Sequence, residues 1–220
     1  MKHTESELLD IKKSIEQMWT LVRGQLEKSR QALLNNDQNL ASIVTSTEKR
    51  VNAFELKIDS DCENYIALYS PVAIDLRLVL SILKINKTLE RIGDFADGIA
   101  RFVLTYEVNQ NHQPLIKLLR VEEMLTCVDL MLEKTFTILQ DENTAQAGLV
   151  FSTDNTIDKL YAESYDLLAD YIKQNPDDVV YALNLVSVMR KIERCGDHCN
   201  NIMEEIIFYL DAKVVKHQKK

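Results

Sequence analysis

The sequence predicts an all-α protein, a tandem repeat of two three-helix bundles built from long antiparallel helices. Three observations carry that prediction. The 220 residues include only three prolines and five glycines, too few turn formers for a β-sandwich, a barrel or a loop-rich α/β fold. Apolar residues make up 46% of the chain and recur at helical spacing between the prolines. A six-residue motif also occurs twice, as Leu89-Glu90-Arg91-Ile92-Gly93-Asp94 and Ile192-Glu193-Arg194-Cys195-Gly196-Asp197, 103 residues apart.

Six helices follow from the punctuation. The first spans 4–35 and ends at Asn35-Asn36-Asp37. Its Met18, Trp19, Leu21 and Val22 are read as packing residues. The second spans 37–69, with Asp37 as its N-cap, and stops before Pro71. Pro71 opens the third, 72–107, which carries the first motif. The polar connector Tyr106 to Gln113 follows, and Pro114 opens a fourth helix over 114–140. Asp141-Glu142-Asn143-Thr144 separates it from a fifth, 144–174. Pro176 opens the sixth, 177–213, which carries the second motif. The expected domains are 1–108 and 109–220, one three-helix repeat each. Pro71 and Pro176 hold equivalent places, 105 residues apart. Helices of some thirty residues, roughly 45 Å long, pack side by side, and short connections make sequential neighbours antiparallel.

Charge and composition narrow the function. Lys and Arg number 26 against 34 Asp and Glu, a net charge of −8. That balance argues against nucleic-acid binding, which relies on Lys and Arg neutralising phosphates. The basic end, Lys216-His217-Gln218-Lys219-Lys220, reads as a solvated tail. No segment approaches the ~20 apolar residues of a membrane span, and the N-terminus lacks a signal-peptide core. The expectation is a cytoplasmic protein whose Cys62, Cys127, Cys195 and Cys199 are reduced.

The repeated motif carries the chemistry. On a helical wheel Glu90, Asp94, Asp97 and Asn86 lie within about 80° of one another, opposite Ile85, Ile92, Ala96 and Ile99. The second motif repeats this with Glu193, Asp197, Asn200 and Glu204. Such a stripe is ordinarily solvated surface. Carboxylates at i and i+4, however, repel each other, and here the pairs recur at matching places. Register adds to this. Asn52 and Glu90 both lie 19 residues from Pro71, and Glu48 and Asp94 both lie 23 from it. Asp158 and Glu193 lie 18 and 17 residues from Pro176, and Asp154 and Asp197 lie 22 and 21. Each hairpin therefore brings its acidic pairs to one height. If they share a groove, Glu48, Glu90, Asp94 and Asp97 form one cluster and Asp154, Asp158, Glu193 and Asp197 another. Clusters made only of oxygen donors suit Mg²⁺, Mn²⁺, Ca²⁺ or iron, with Zn²⁺ less favoured for want of His or Cys.

These residues closely resemble the PhoU family of phosphate-transport regulators, whose tandem three-helix bundles each carry an E/D-x-x-x-D signature. The match extends through Phe95-Ala96-Asp97, through His198-Cys199-Asn200-Asn201-Ile202, and to Asp75-Leu76-Arg77 after Pro71. The resemblance implies a PhoU-like fold and a non-enzymatic regulator in the cytoplasm. Its implied partners are the ATPase of the high-affinity phosphate ABC transporter and a sensor histidine kinase. The implied role is to restrain uptake and starvation signalling when phosphate is ample. It further implies a homodimer with metal ions (iron, Mg, Mn or Zn) on the acidic motifs. Two departures stand out. Asn52 replaces a carboxylate on helix two, for which Glu55 and Asp59 could compensate, and the second repeat lacks a counterpart of Asp75-Leu76-Arg77.

Other residues are discounted. Cys195 and Cys199 point to the apolar side and His198 to the flank, which favours packing over zinc or redox chemistry. A di-iron oxidase needs Glu-x-x-His on two helices, whereas Glu193 and His198 are five apart and the first repeat has Phe95 there. Two rivals to a metal-binding adaptor are therefore kept: a carboxylate-bridged redox enzyme and an acidic module that binds a basic partner without metal.

Overall fold

The computed structural model describes residues 2–106 and 112–215, with side chains from Thr4 onward. The 108/109 domain boundary and the basic tail 216–220 lie outside the described residues. Seven α-helices are described: α1 (Lys2–Asn35), α2 (Gln38–Tyr69), α3 (Ala73–Thr105), α4 (Gln113–Leu118), α5 (Val121–Asp141), α6 (Ala147–Gln174) and α7 (Val179–Asp211). Helices α1, α2 and α3 pack as one bundle and α5, α6 and α7 as a second. No described helix is long and apolar enough to cross a membrane.

The helix ends follow local chemistry. The Asp37 carboxylate accepts hydrogen bonds from the amides of Asn39 (2.9 Å) and Leu40 (3.0 Å), capping α2 as expected. Ser70 turns left-handed (φ 46°) to end α2 before Pro71. Pro176 opens a 3-10 turn over Pro176–Asp178 that leads into α7.

The expected continuous helix over 114–140 is instead broken at Leu119-Arg120, where Arg120 is left-handed (φ 53°). The cause is phase. Leu115, Ile116 and Leu119 share one face of a helix, whereas Val121, Met124, Leu125 and Val128 centre about 180° away on the same wheel. All seven are buried, which one straight helix could not achieve.

The two bundles join along α3 and α7, which run antiparallel. Arg77 Nε donates to the Tyr209 carbonyl (3.1 Å) and Ser81 Oγ to that of Glu205 (3.0 Å). Phe95 faces His198 at 5.5 Å between ring centroids. These two residues are 103 apart and so occupy equivalent places in the repeats. The local pseudo-two-fold axis therefore passes between them. Helix α1 also crosses to α5: buried Trp19 donates its indole N–H to the Leu132 carbonyl (3.2 Å) and packs on Phe136. Arg23 forks onto Asp129 (2.6 and 3.0 Å) and reaches Glu133 (2.9 Å). One apolar core runs through both bundles. It contains Cys62, Cys195 and Cys199, with Cys127 half-buried; all four are free thiols. Burial raises the Cys195 and Cys199 pKa values well above the ordinary thiol range, which fits inert packing residues.

Candidate functional site

The repeated glycine sets the distance between the two helices of each acidic hairpin. A methyl group on Gly196 would lie 2.5 Å from Asp154 Oδ1 and 3.1 Å from Ile157 Cδ1. The absence of a Cβ thus lets α6 bring Asp154 down onto α7. At the equivalent Gly93 the nearest atoms are Gln25 Oε1 (3.2 Å) and Val51 Cγ1 (3.3 Å), so α1 and α2 also approach α3 closely.

In the second repeat the structure brings Asp154, Asp158, Glu193 and Asp197 into one electrostatic cluster. Asp154 is 7% exposed. Its pKa is raised to about 7, first by burial and then by the charges of Asp158, Asp197 and Glu193, against a hydrogen bond from Asn200. Burial and Asp197 push Asp158 up as well. Glu193 is raised by burial, Asp197 and Asp158, against Arg194 and Arg190. Asp197 accepts from Arg194 (2.9 Å). Asp154 Oδ2 accepts from the Asn200 amide, while Asp154 Oδ1 and Asn200 Oδ1 are buried and have no hydrogen-bond partner.

The first repeat gathers Glu48, Glu90 and Asp94. Burial and Asp94 raise the Glu90 pKa; burial and Glu48 raise that of Asp94. Both rises are opposed by Lys87 and Arg91. Lys87 Nζ lies 2.7 Å from Glu55 and 3.3 Å from Glu90, and Arg91 lies 3.7 Å from Glu90 and 3.2 Å from Asp94. Asn52 donates to Glu48 (2.7 Å) in place of an extra charge. Glu55 and Asp59 are already engaged, the former by Lys87 and the latter by the Asn86 amide (2.8 Å). Asp97 is drawn aside: it is buried and bound by Arg101 (2.6 Å).

The shared heights read from the prolines are therefore real, and the grooves are shared. Convergence stops short of ligation. As the side chains stand, no three His, Cys, Asp or Glu among the described residues are gathered closely enough to hold one ion. Arg91, Arg194, Asn52 and Asn200 instead engage one oxygen each of Asp94, Asp197, Glu48 and Asp154. The arginines and glycines of the repeated motif were visible in the sequence as repetition, without a role. His198 sits on the α3–α7 seam against Phe95; burial holds its pKa low, and Arg194 and Arg91 add to this.

The chain's similarities agree with this architecture. The PhoU domain model matches twice, at residues 15–103 and 121–206. The Phosphate-specific transport system accessory protein PhoU of Edwardsiella tarda is 34% identical over 98% of this chain and 89% of its own length. The protein of the same name from Escherichia coli (strain K12) is 34% identical over 96% and 87%. The crystal structure of PhoU from Pseudomonas aeruginosa superposes with a TM-score of 0.86 at 28% identity, covering 95% of this chain and 99% of that one. With both repeats matched and the bundle architecture shared, the chain belongs to the PhoU family.

Proposed function

We propose that this protein is a metal-dependent, non-enzymatic regulator of phosphate uptake. The observation that carries the reading is the pair of equivalent carboxylate clusters on a scaffold related over nearly its whole length to accessory proteins of phosphate-specific transport. In this reading the protein acts in the cytoplasm as a homodimer. It links the ATPase of a phosphate ABC transporter to a sensor histidine kinase and restrains both when phosphate is ample.

Asp154, Asp158, Glu193 and Asp197 would hold one ion or cluster, and Glu48, Glu90 and Asp94, with Asp97 at the edge, a second and weaker one. The partnerless oxygens of buried Asp154 and Asn200 support the fit, because buried acceptors seek a donor or a cation. The all-oxygen donor set favours Mg²⁺, Mn²⁺ or iron over Zn²⁺. Bound metal would neutralise the mutual repulsion of the carboxylates. The protein's own part is to hold the acids at one height, exclude water with α6 and supply arginine counter-ions.

Elemental analysis of protein purified without chelator or affinity metal tests the reading. Bound metal is expected, and it should fall in a folded Glu193→Gln/Asp197→Asn variant. Unchanged metal content would remove the second-cluster assignment. Deleting the gene should release phosphate repression of uptake, and normal repression would sink the regulatory role. Co-purification with the transporter ATPase tests the partner.

A further inference from the structure

The seam between α3 and α7 holds a cleft of about 490 Å³ lined by Lys84, Lys87, Arg91, His198, Asn201 and Glu205. We propose that this cleft binds a tetrahedral oxyanion of the phosphate type, and that it does so when a divalent cation occupies the Glu48/Glu90/Asp94 cluster. The proposal rests on the metal-binding reading above.

The cleft has donors, but they are engaged. Lys84 pairs with the buried Glu205 (3.0 Å), Lys87 with Glu55 and Glu90, and Arg91 with Glu90 and Asp94. In that arrangement the three cations are already matched by four carboxylates, which disfavours an anion. A dication on Glu90 and Asp94 takes over the work of Lys87 and Arg91. Both side chains are about half exposed, spring from the seam helix and line the cleft already. Repelled by the metal, they turn toward the cleft, where a planar guanidinium and an ammonium suit a tetrahedral oxyanion. The His198 and Asn201 side chains stand on the opposite wall.

The pseudo-two-fold axis supplies an internal comparison. The residues equivalent to Thr88 and Asn201 are Lys191 and Gly98. There the Lys191 stem lies over Gly98, so close that a methyl on Gly98 would be 2.6 Å from Lys191 Cε. The equivalent space is filled by a side chain of the protein itself. Thr88 is too short to do this, so the cleft beside the first cluster stays open. The fold thus places its anion cleft next to the cluster that carries counter-ions on both Lys87 and Arg91.

Linkage requires that cation and anion strengthen each other by the same factor. The test uses the full chain in a Glu193→Gln/Asp197→Asn background, so that cation binding reports the first cluster. Mn²⁺ is titrated alone by calorimetry, and inorganic phosphate is then measured by equilibrium dialysis with and without Mn²⁺. Mn²⁺ should bind, and phosphate affinity should rise at least tenfold in its presence. Arg91→Gln should move the two ligands in opposite directions: Mn²⁺ binds several-fold tighter because a competing counter-ion is gone, and phosphate several-fold weaker. Asn201→Ala, a neutral change on the wall away from the first cluster, should weaken phosphate alone. Absence of Mn²⁺ binding overturns the metal reading and this proposal together. Mn²⁺ binding with phosphate affinity unchanged overturns this proposal only. So does parent-like phosphate binding in both variants, which would put the anion on the metal itself.

Discussion

Replacing Asp154 by Asn should make the metal-free protein more stable at alkaline pH. Asp154 is buried beside Asp158, Asp197 and Glu193, and its pKa is raised from 3.8 to about 7. A raised acid pKa means that the folded state keeps a proton the unfolded state has lost. Stability therefore falls as pH rises through the window from about 4 to about 7, and the penalty is complete above it. Three pKa units correspond to about 4 kcal/mol as an upper bound. Rearrangement of the neighbouring carboxylates and an effective dielectric above that of dry protein reduce this to roughly 1–3 kcal/mol. Asparagine is close in shape, and its carbonyl can still accept from Asn200. Urea unfolding in chelator at pH 5.5 and pH 8 measures the effect. About half of the penalty is already present at pH 5.5, so the parent should lose about 0.5–1.5 kcal/mol more than Asp154→Asn between the two conditions. Adding Mn²⁺ at about a hundred times its dissociation constant should return about 2.7 kcal/mol to the parent and much less to the variant. An identical pH slope in the two proteins, or a variant that is less stable at pH 8, would refute the electrostatic account.

Glycine substitutions should split by position in thermal melts. Gly196→Ala drives a methyl into Asp154 and Ile157 and should cost about 1–3 kcal/mol, whereas Gly24→Ala and Gly148→Ala meet open space within helices and should each gain about 0.5–1 kcal/mol. Asp37→Ala removes two hydrogen bonds to the first turn of α2 and should cost about 1 kcal/mol in urea unfolding. Arg23→Gln should cost about 1 kcal/mol or less, with the loss shrinking at high salt because the bridge to Asp129 and Glu133 is half exposed.

Much of the fold was legible in the chain, for identifiable reasons. The prolines and Asp37 mark helix ends because proline and side-chain caps act within one turn. The apolar periodicity placed Cys195 and Cys199 in the core and Glu193 and Asp197 away from it. Even the break at Arg120 left a trace, in apolar faces half a turn out of phase before and after it. Each half of 114–140 is periodic by itself, so the shift shows only when the two faces are set on one wheel.

What repetition and spacing determined was the pair of three-helix units and the common height of their acidic residues, since rise per residue is fixed by backbone hydrogen bonding. Tertiary structure decided the rest. Whether the acids share a groove depends on helix rotation, which the close approach at Gly93 and Gly196 sets. Which carboxylate is free depends on how the cations of α3 itself are turned: Arg101, four residues on, holds Asp97, while Arg91 and Lys87 mask the first cluster and Lys87 also reaches across to Glu55 on α2. The difference between the two sides of the α3–α7 seam comes from Lys191 lying over Gly98 where Thr88 leaves a cleft. Periodicity records only which way a residue faces on its own helix. Contacts across helices depend on side-chain length and charge at positions a hundred residues apart, and only the packed structure brings those together.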